Sequence, residues 1–303
     1  MTSNNNKLTV MVTGASGFLG NELVNQLLQE DNIRVVAVTS KPDDIKLKYL
    51  SFDLLALYTS NWQETLKEEV DVIVNCAFPR TSQPDELAKG ILFTEKLVRY
   101  AHKLKIKSLI NISSQSVYTQ KDKIITNEKA LISPETLYGM AKYSCERIVE
   151  LLCKEYKMNY SNIRLASLTG LNFDVRMTNR FVDAALNGEK ITIYGGKQKI
   201  SYLEVRDTAE ALIRMILSEA SEWENAYNLG NNEAVTLLEL ISIVQRESRK
   251  YNKKEINVEL LEEKNSFNNL IDSNLFYSTF NWRPNFTVEK MIKELCKHKS
   301  ISG

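Results

Sequence analysis

The chain has two histidines and four cysteines in 303 residues, and it carries no excess of charge of either sign. Each scarcity excludes something. Cys76, Cys145, Cys153 and Cys296 are scattered without a CxxC pair and lie in apolar surroundings. That is the pattern of reduced core thiols in a cytoplasmic protein and not of a disulfide framework. His102 and His298 sit in lysine-rich, helical-looking stretches that read as surface, so no metal site is expected. Lys and Arg number 39 against 38 Asp and Glu. No broad field is left to attract nucleic acid or an anionic membrane. The apolar runs fall far short of a membrane span, and Met1–Asn6 is polar, without the apolar core of a signal peptide.

What is there is organised around Leu8 to Leu28, LTVMVTGASGFLGNELVNQLL. A short apolar, β-branched run, Leu8–Thr13, reads as a buried parallel strand. Gly14, Gly17 and Gly20 follow, and Leu19, Leu23, Val24, Leu27 and Leu28 then recur at helical spacing. A strand, a glycine-rich turn and a helix make a phosphate cradle. Glycines let the backbone approach a pyrophosphate, and the helix N-terminus offers N–H groups and the positive end of its dipole. A glycine triplet alone is an ordinary tight turn, but its place between strand and helix is the context a dinucleotide fingerprint requires.

Strands then alternate with helices, which predicts a doubly wound parallel sheet, an α/β Rossmann architecture covered on both faces. The reading gives strands at Arg34–Thr39, Tyr49–Phe52, Val70–Ala77, Ser108–Ser113 and Tyr160–Leu165, with helices at Pro84–Leu104 and Tyr138–Tyr156. After Leu165 the rhythm becomes irregular. A helix near Asn179–Asn187, a strand at Ile191–Tyr194 and a Gly195-Gly196 turn are followed by Leu203–Leu217, Leu237–Ser248, a strand near Ile256–Leu260 and a final helix from Val288. The expected division is a dinucleotide-binding domain over 1–170, with 199–230 returning to it, and a smaller C-terminal α/β substrate lobe over 171–303.

At the end of the second strand a carboxylate suits the ribose hydroxyl of NAD, whereas basic or hydroxyl residues suit the phosphate of NADP. Thr39, Ser40 and Lys41 stand there, with no carboxylate before Asp43. NADP is therefore the favoured cofactor and NAD the alternative; the plain competing view is a solvent loop with an incidental lysine. Asp53-Leu54, read as following the third strand, could hold the adenine amine, or Asp53 could be a helix cap. The cofactor is expected to touch Gly14, Ser16, Gly17, Phe18, Leu19 and Gly20 on the turn. Further along it is expected to touch Thr39, Ser40, Lys41, Asp53 and Leu54, then Cys76, Ala77 and Phe78 after the fourth strand, and finally Tyr138 and Lys142.

Tyr138 and Lys142 are four apart on a helix, which puts phenol and ammonium on one face. A tyrosine needs a neighbouring cation to exchange a proton at neutral pH. Ser113-Ser114-Gln115-Ser116-Val117-Tyr118 places hydroxyls at the carboxyl edge of the sheet. With these motifs the sequence resembles the extended short-chain dehydrogenase/reductases, the nucleotide-sugar epimerase, dehydratase and reductase group. TGASGFLG at Thr13–Gly20, SSQSVY at Ser113–Tyr118, YGMAK at Tyr138–Lys142, IYGG at Ile193–Gly196, YLEVRDTAEA at Tyr202–Ala211 and NWRP at Asn281–Pro284 carry the resemblance over nearly the whole chain. It implies that Ser114 is the catalytic hydroxyl, Tyr138 the general acid/base and Lys142 its partner.

Departures from the family pattern narrow the expectation. Gln115-Ser116 replaces the Asp-Glu pair of the 4,6-dehydratases, and neither residue is a base at neutral pH. The Cys and His of the fucose-type epimerase-reductases have no counterparts. Ile200 stands where the family often has an arginine on the nucleotide diphosphate, and Ser167 where it has an asparagine. Arg80, Arg180, Lys197, Lys199 and Arg283 could replace the lost charge. The substrate set is thus Arg80, Gln115, Ser116, Ser167, Arg180, Lys199 and Arg283. The leading expectation is an NADPH-dependent reductase of a nucleotide-linked 4-keto-6-deoxy sugar. A 4-epimerase holding NAD tightly is the runner-up, and a non-catalytic NADP sensor is a third reading that an intact Ser-Tyr-Lys set disfavours. A homodimer is also expected, since the family packs the two helices at Pro84–Leu104 and Tyr138–Tyr156 against their copies. Each helix carries apolar residues on more than one face: Ile91, Leu92, Leu97 and Val98 in one, and Met140, Cys145, Ile148, Leu151 and Leu152 in the other.

Overall fold

In a computed structural model the described residues are 7–41, 54–60, 62–67, 69–119, 125–252, 256–262 and 268–302. The chain forms two compact units, one of residues 1–118, 131–164 and 208–227 and the other of 119–130, 165–207 and 228–303.

The first unit alternates as its apolar pattern dictates. Its opening elements are β1 (Leu8–Thr13), α1 (Phe18–Leu27), β2 (Ile33–Thr39), β3 (Leu54–Tyr58) and a short α2 (Trp62–Thr65). Then come β4 (Val72–Asn75), α3 (Pro84–Lys103), β5 (Ser108–Ser114), α4 (Leu137–Tyr156) and β6 (Asn159–Leu165). The second unit begins with β7 (Ser167–Thr169), α5 (Met177–Asn187), β8 (Ile191–Tyr194) and β9 (Lys199–Glu204). Helix α6 (Val205–Ile216) and strand β10 (Ala226–Leu229) return toward the first unit. The chain closes with β11 (Ala234–Thr236), α7 (Leu237–Ser248), β12 (Val258–Leu261), α8 (Asn274–Phe280) and α9 (Val288–Ser302).

Seven strands form one sheet in the order β10-β6-β5-β4-β1-β2-β3, and the pairs β1–β2, β2–β3, β1–β4 and β4–β5 are parallel. The order reverses between β1 and β4, the switch point where open α/β sheets bind ligands at their carboxyl ends. Strands β1, β2 and β4 are buried almost throughout, as a sheet covered on both faces requires. Polar residues interrupt them in a single row. Thr13 Oγ1 donates to Asn75 Oδ1 (2.7 Å), Asn75 Nδ2 to Asn111 Oδ1 (3.1 Å), Asn111 Nδ2 to Asn162 Oδ1 (2.8 Å) and Asn162 Nδ2 to the Asn225 carbonyl (3.3 Å). A buried amide left unpaired costs about 1–3 kcal/mol; here the register places the amides side by side and each satisfies the next.

The structure corrects two readings. Strand three is Leu54–Tyr58, paired from Val35↔Leu54 to Thr39↔Tyr58, and Tyr49–Phe52 lies outside the described residues. Leu54 therefore opens that strand near its amino end and does not follow it, which removes Leu54 from the cofactor edge of the sheet; Asp53 lies outside the described residues. Finally, Leu203–Leu217 is not one element. Strand β9 ends at Glu204 and α6 begins at Val205.

In the second unit β11, β9 and β7 form one small sheet and β12 pairs with β8 in parallel. Its core joins Val182, Ala185, Ile191, Ile193, Leu240 and Ile292 with residues around them.

Candidate active site

The glycine turn is built as its residues demand. Gly14 has φ +67°, and a Cβ there would lie 2.9 Å from the backbone of Ala77. The turn closes with the Gly17 N–H donating to the Gly14 carbonyl at 2.9 Å. A Cβ on Gly20 would overlap that same Gly14 carbonyl, so α1 can dock on the turn only with glycine there. Gly17 caps α1 with no side chain, and no acidic residue stands in the first turn. The dipole end is thus left positive, the condition for an anion. Leu19 is buried in the core, so only its main chain can serve a ligand. These are the features of a pyrophosphate cradle, and the residues fit a dinucleotide.

At the end of β2 the Thr39 side chain is buried, with its Oγ1 2.5 Å from Ser16 Oγ. The Lys41 N–H reaches Thr39 Oγ1 at 3.4 Å, and Ser40 and Lys41 are exposed. The structure therefore joins the glycine turn to the end of β2 through a hydroxyl pair. Cys76, Ala77 and Phe78 follow β4 directly at the same edge of the sheet.

Ser114 ends β5 and caps the 3-10 turn Gln115–Val117. Its Oγ accepts from the Ser116 N–H (3.1 Å) and donates to Ser116 Oγ (3.2 Å). Helix α4 starts one residue before Tyr138, capped by Thr136 Oγ1, which accepts from the Gly139 N–H at 3.0 Å. Gly139 is a close approach: a Cβ there would overlap the Ser116 carbonyl. One turn on, Lys142 is 5% exposed, and its Nζ donates to the Ile112 carbonyl at 2.7 Å. That amine also lies 4.1 Å from the centroid of the Phe78 ring and 6.0 Å from that of Tyr138. Phe78 in turn meets Tyr138 edge to face at 6.0 Å. Burial pushes the Lys142 ammonium down to about 8, opposed by the thiols of Cys145 and Cys76 and by the Glu146 carboxylate. Burial pushes the Cys76 thiol up to about 12, opposed by Lys142.

The sequence singled out Phe78 only as a cofactor contact. Its ring against Lys142 and Tyr138 was missed, because no local pattern announces a cation–π contact over 64 residues. Of the expected substrate residues, the first unit holds Arg80, exposed, Gln115, buried, and Ser116, half-buried. The second unit holds the others. Arg180 lies on α5 and lines a cavity of about 830 Å³ together with Met177, Phe181, Thr192, Tyr194 and Gln198. The Gln198 side chain braces the turn there, accepting from the Gly196 N–H (2.5 Å) and donating to the Tyr194 carbonyl (2.7 Å). Arg283 lines a separate cavity of about 570 Å³ with Asn274, Ser278 and Trp282, its guanidinium 5.2 Å from the Tyr277 ring centroid. Ser167 opens β7 and Lys199 opens β9. Ile200 is buried in the core of the unit. The structure thus brings Arg180 and Arg283 to different cavities and not to one anion site. Among the described residues no group of three or more His, Cys, Asp or Glu could hold a metal ion, and no helix is long and apolar enough to cross a membrane.

Comparison with known proteins gives a consistent family. The sequence profile of the NAD dependent epimerase/dehydratase family matches residues 10–230. A dTDP-D-glucose 4,6-dehydratase of Dictyostelium discoideum is 25% identical over 263 residues, 76% of this chain and 60% of that protein; the chain therefore spans less than two thirds of that relative's length. A putative UDP-glucose 4-epimerase of Methanocaldococcus jannaschii is 25% identical over 258 residues, covering 78% of this chain and 82% of the relative. Among solved structures, a UDP-glucuronic acid 4-epimerase from Bacillus cereus, in complex with UDP-glucuronic acid and NAD, superposes with a TM-score of 0.83. That similarity covers 97% of this chain and 99% of the other at 19% identity, and it shows a shared fold.

Proposed function

The chain belongs to the NAD dependent epimerase/dehydratase family, and from that premise we propose that it interconverts a hydroxyl and a keto group on a nucleotide-linked sugar. The carrying observation is Lys142, buried, with its amine 4.1 Å from the Phe78 ring centroid and 6.0 Å from that of Tyr138. A buried ammonium on the same helix face as a phenol supports a proton exchange that a free tyrosine does not make at neutral pH. When bound, the nicotinamide dinucleotide supplies hydride transfer to or from the sugar carbon. The chain does the rest. Gly14, Gly17 and Gly20 with the first turn of α1 would hold the pyrophosphate, and Lys142 the nicotinamide ribose. Tyr138 moves the proton at the reacting oxygen. Ser114 hydrogen-bonds that oxygen, Ser116 orients Ser114, and the Lys142 ammonium stabilises the phenolate as it forms.

The reading favoured for direction is reduction of a 4-keto-6-deoxy sugar with NADPH. Thr39 and Lys41 at the end of β2, with Ser16 of the glycine turn beside Thr39, offer hydroxyls and a cation to a ribose phosphate. A 4-epimerase with NAD is the second reading, supported by the epimerases of similar sequence and fold. Either substrate needs a nucleotide pocket, and the cavity of Arg180, Phe181 and Tyr194 offers aromatic faces and one guanidinium. A homodimer through α3 and α4 and a reducing, cytoplasmic setting for the four free thiols complete the proposal.

Two measurements test it. Mass and absorbance of the cofactor released from purified protein separate the readings: retained NAD supports the epimerase, and an empty site preferring NADPH supports the reductase. Tyr138→Phe should bind cofactor normally and lose about 10²–10⁴-fold in turnover. Wild-type turnover by that variant, with UDP-glucose and with nucleotide-linked 4-keto-6-deoxyglucose, would remove Tyr138 from the chemistry.

A further inference from the structure

The first unit also holds a buried ion pair, Glu146 with Arg164. Glu146 is one turn beyond Lys142 on α4, and Arg164 is on β6; their side chains are 4% and 8% exposed. The contact is a fork. Arg164 Nε reaches Glu146 Oε1 (3.0 Å) and Oε2 (3.2 Å), and Nη2 reaches Oε2 at 2.8 Å. Each partner also bonds outward. Ser113 Oγ donates to Glu146 Oε1 at 2.5 Å, and Arg164 Nη1 donates to the Tyr118 hydroxyl at 2.7 Å.

A buried pair of this kind is poor evidence of stabilisation, because desolvation offsets much of the Coulombic gain and an apolar pair of equal volume often serves as well. What distinguishes this pair is where its two outer bonds end. Ser113 precedes Ser114. Tyr118 closes the 3-10 turn that Ser114 caps, its N–H bonded to the Gln115 carbonyl, and it bridges to Ile132 on the segment leading into α4. That segment continues through Ser133, whose N–H donates to the Val117 carbonyl, to Thr136, the cap of Tyr138's helix. Glu146 itself rides on α4. One bidentate contact thus grips β5, the 3-10 turn and α4, the three pieces that carry Ser114, Tyr138 and Lys142.

We infer that Glu146 and Arg164 form a positioning clamp that fixes the spacing of the Ser114 hydroxyl against the Tyr138–Lys142 face of α4. The inference rests on the reading of these three residues as the reacting set. It has an electrostatic side as well. The titratable groups that act on Lys142 are Cys145 and Glu146 from its own helix and Cys76 from the end of β4. Of these, Glu146 belongs to the clamp, and its Coulombic effect raises the Lys142 value.

The test replaces the pair by apolar residues, Glu146→Leu with Arg164→Met, so that no orphan charge remains. Cofactor affinity is read by NADPH fluorescence, and turnover with UDP-linked 4-keto-6-deoxyglucose and with UDP-glucose. The double variant should melt near the wild-type temperature and bind NADPH within about threefold of wild type, since its glycine turn is untouched. Its kcat should fall by about 10²-fold, the cost of a displacement near 1 Å among reacting groups. The alkaline limb of its kcat profile should move to lower pH, because one of the groups that raise the Lys142 value is gone. Wild-type kcat with an unmoved limb overturns the clamp. If the double variant does not fold, Ser113→Ala and Tyr118→Phe each remove one outer bond without touching the charges. A drop in kcat at unchanged KM and melting temperature in either supports the clamp, and wild-type kcat in both overturns it. Tyr138→Phe is measured beside them. If it is inactive while the clamp variants are wild type, the clamp alone fails; if it is active, the reacting set fails and the clamp with it.

Discussion

Lys142 sits where a lysine is costly. Its ordinary value of 10.5 falls to about 8 in the fold, mainly through burial. A shift of that size amounts to about 3 kcal/mol of lost stability at neutral pH. The sign follows from proton counting. Below pH 8 the amine is charged in both folded and unfolded chains, and the folded state bears the penalty in full. Between about 8 and 10.5 the unfolded chain holds more protons, so the penalty fades as pH rises. Lys142→Met should therefore raise the melting temperature at pH 7 while abolishing turnover, and its stability advantage should shrink by pH 10. Urea unfolding of both proteins at pH 7 and pH 10 checks this. A variant less stable than wild type at pH 7 would mean that the bond to the Ile112 carbonyl and the Phe78 ring outweigh the desolvation.

At the scale of elements, the decisive contact is the one between the first turn of α4 and the 3-10 turn after β5. Gly139 admits it because a Cβ would overlap the Ser116 carbonyl, a backbone atom held by the Val117–Ser133 bond and so unable to give way. Gly139→Ala must lift the helix, and overpacking of that sort costs about 1–3 kcal/mol. Gly90 on α3 offers the contrast. A Cβ there would come within 2.7 Å of the Phe78 ring and of Pro79 Cδ, a lesser overlap than that with the Ser116 carbonyl at Gly139. Gly90→Ala is thus the milder change in stability. Paired denaturation curves should rank Gly139→Ala as the more damaging, and the reverse order would place the rigid contact at α3.

For the whole molecule, the sequence pattern on α3 and α4 divides in two. Ala141, Cys145, Val149 and Cys153 form one stripe of α4 and are buried, as are Leu97 and Val98 of α3. Met140, Leu151 and Leu92 stay 49%, 58% and 52% exposed. A helix covering a sheet needs one apolar stripe, and we propose that the second, left in water, is the dimer face. Pairing this face with its copy about a two-fold axis would bury an area on the order of the standard 1,600 Å². Light scattering at micromolar concentration should give about twice the chain mass of 34.7 kDa, and Leu151→Glu should return it to one chain. A single-chain mass for the unmodified protein would sink the dimer.

The sequence by itself determined the strand–glycine–helix opening, most strand positions of the sheet, and the pairing of Tyr138 with Lys142 on one helix face. These follow from local covalent geometry: period two, period 3.6, and the backbone freedom of Gly14 and Gly20. Only the tertiary structure decided what depends on register and enclosure. The frame of β3 is set by its pairing with Val35 to Thr39, which no local pattern in Leu54–Tyr58 announces. The row from Thr13 to Asn162 exists because four strands bring one hydroxyl and three amides level; in a strand alone an asparagine is merely a poor β-former. Ser16 meets Thr39 across 23 residues, and Glu146 meets Arg164 across 18. Lys142 lies under Phe78 only once β4 and α4 are packed. Periodicity fixes which face a side chain takes. Which charge is buried, and against what, is fixed by the neighbours that the completed sheet brings to it.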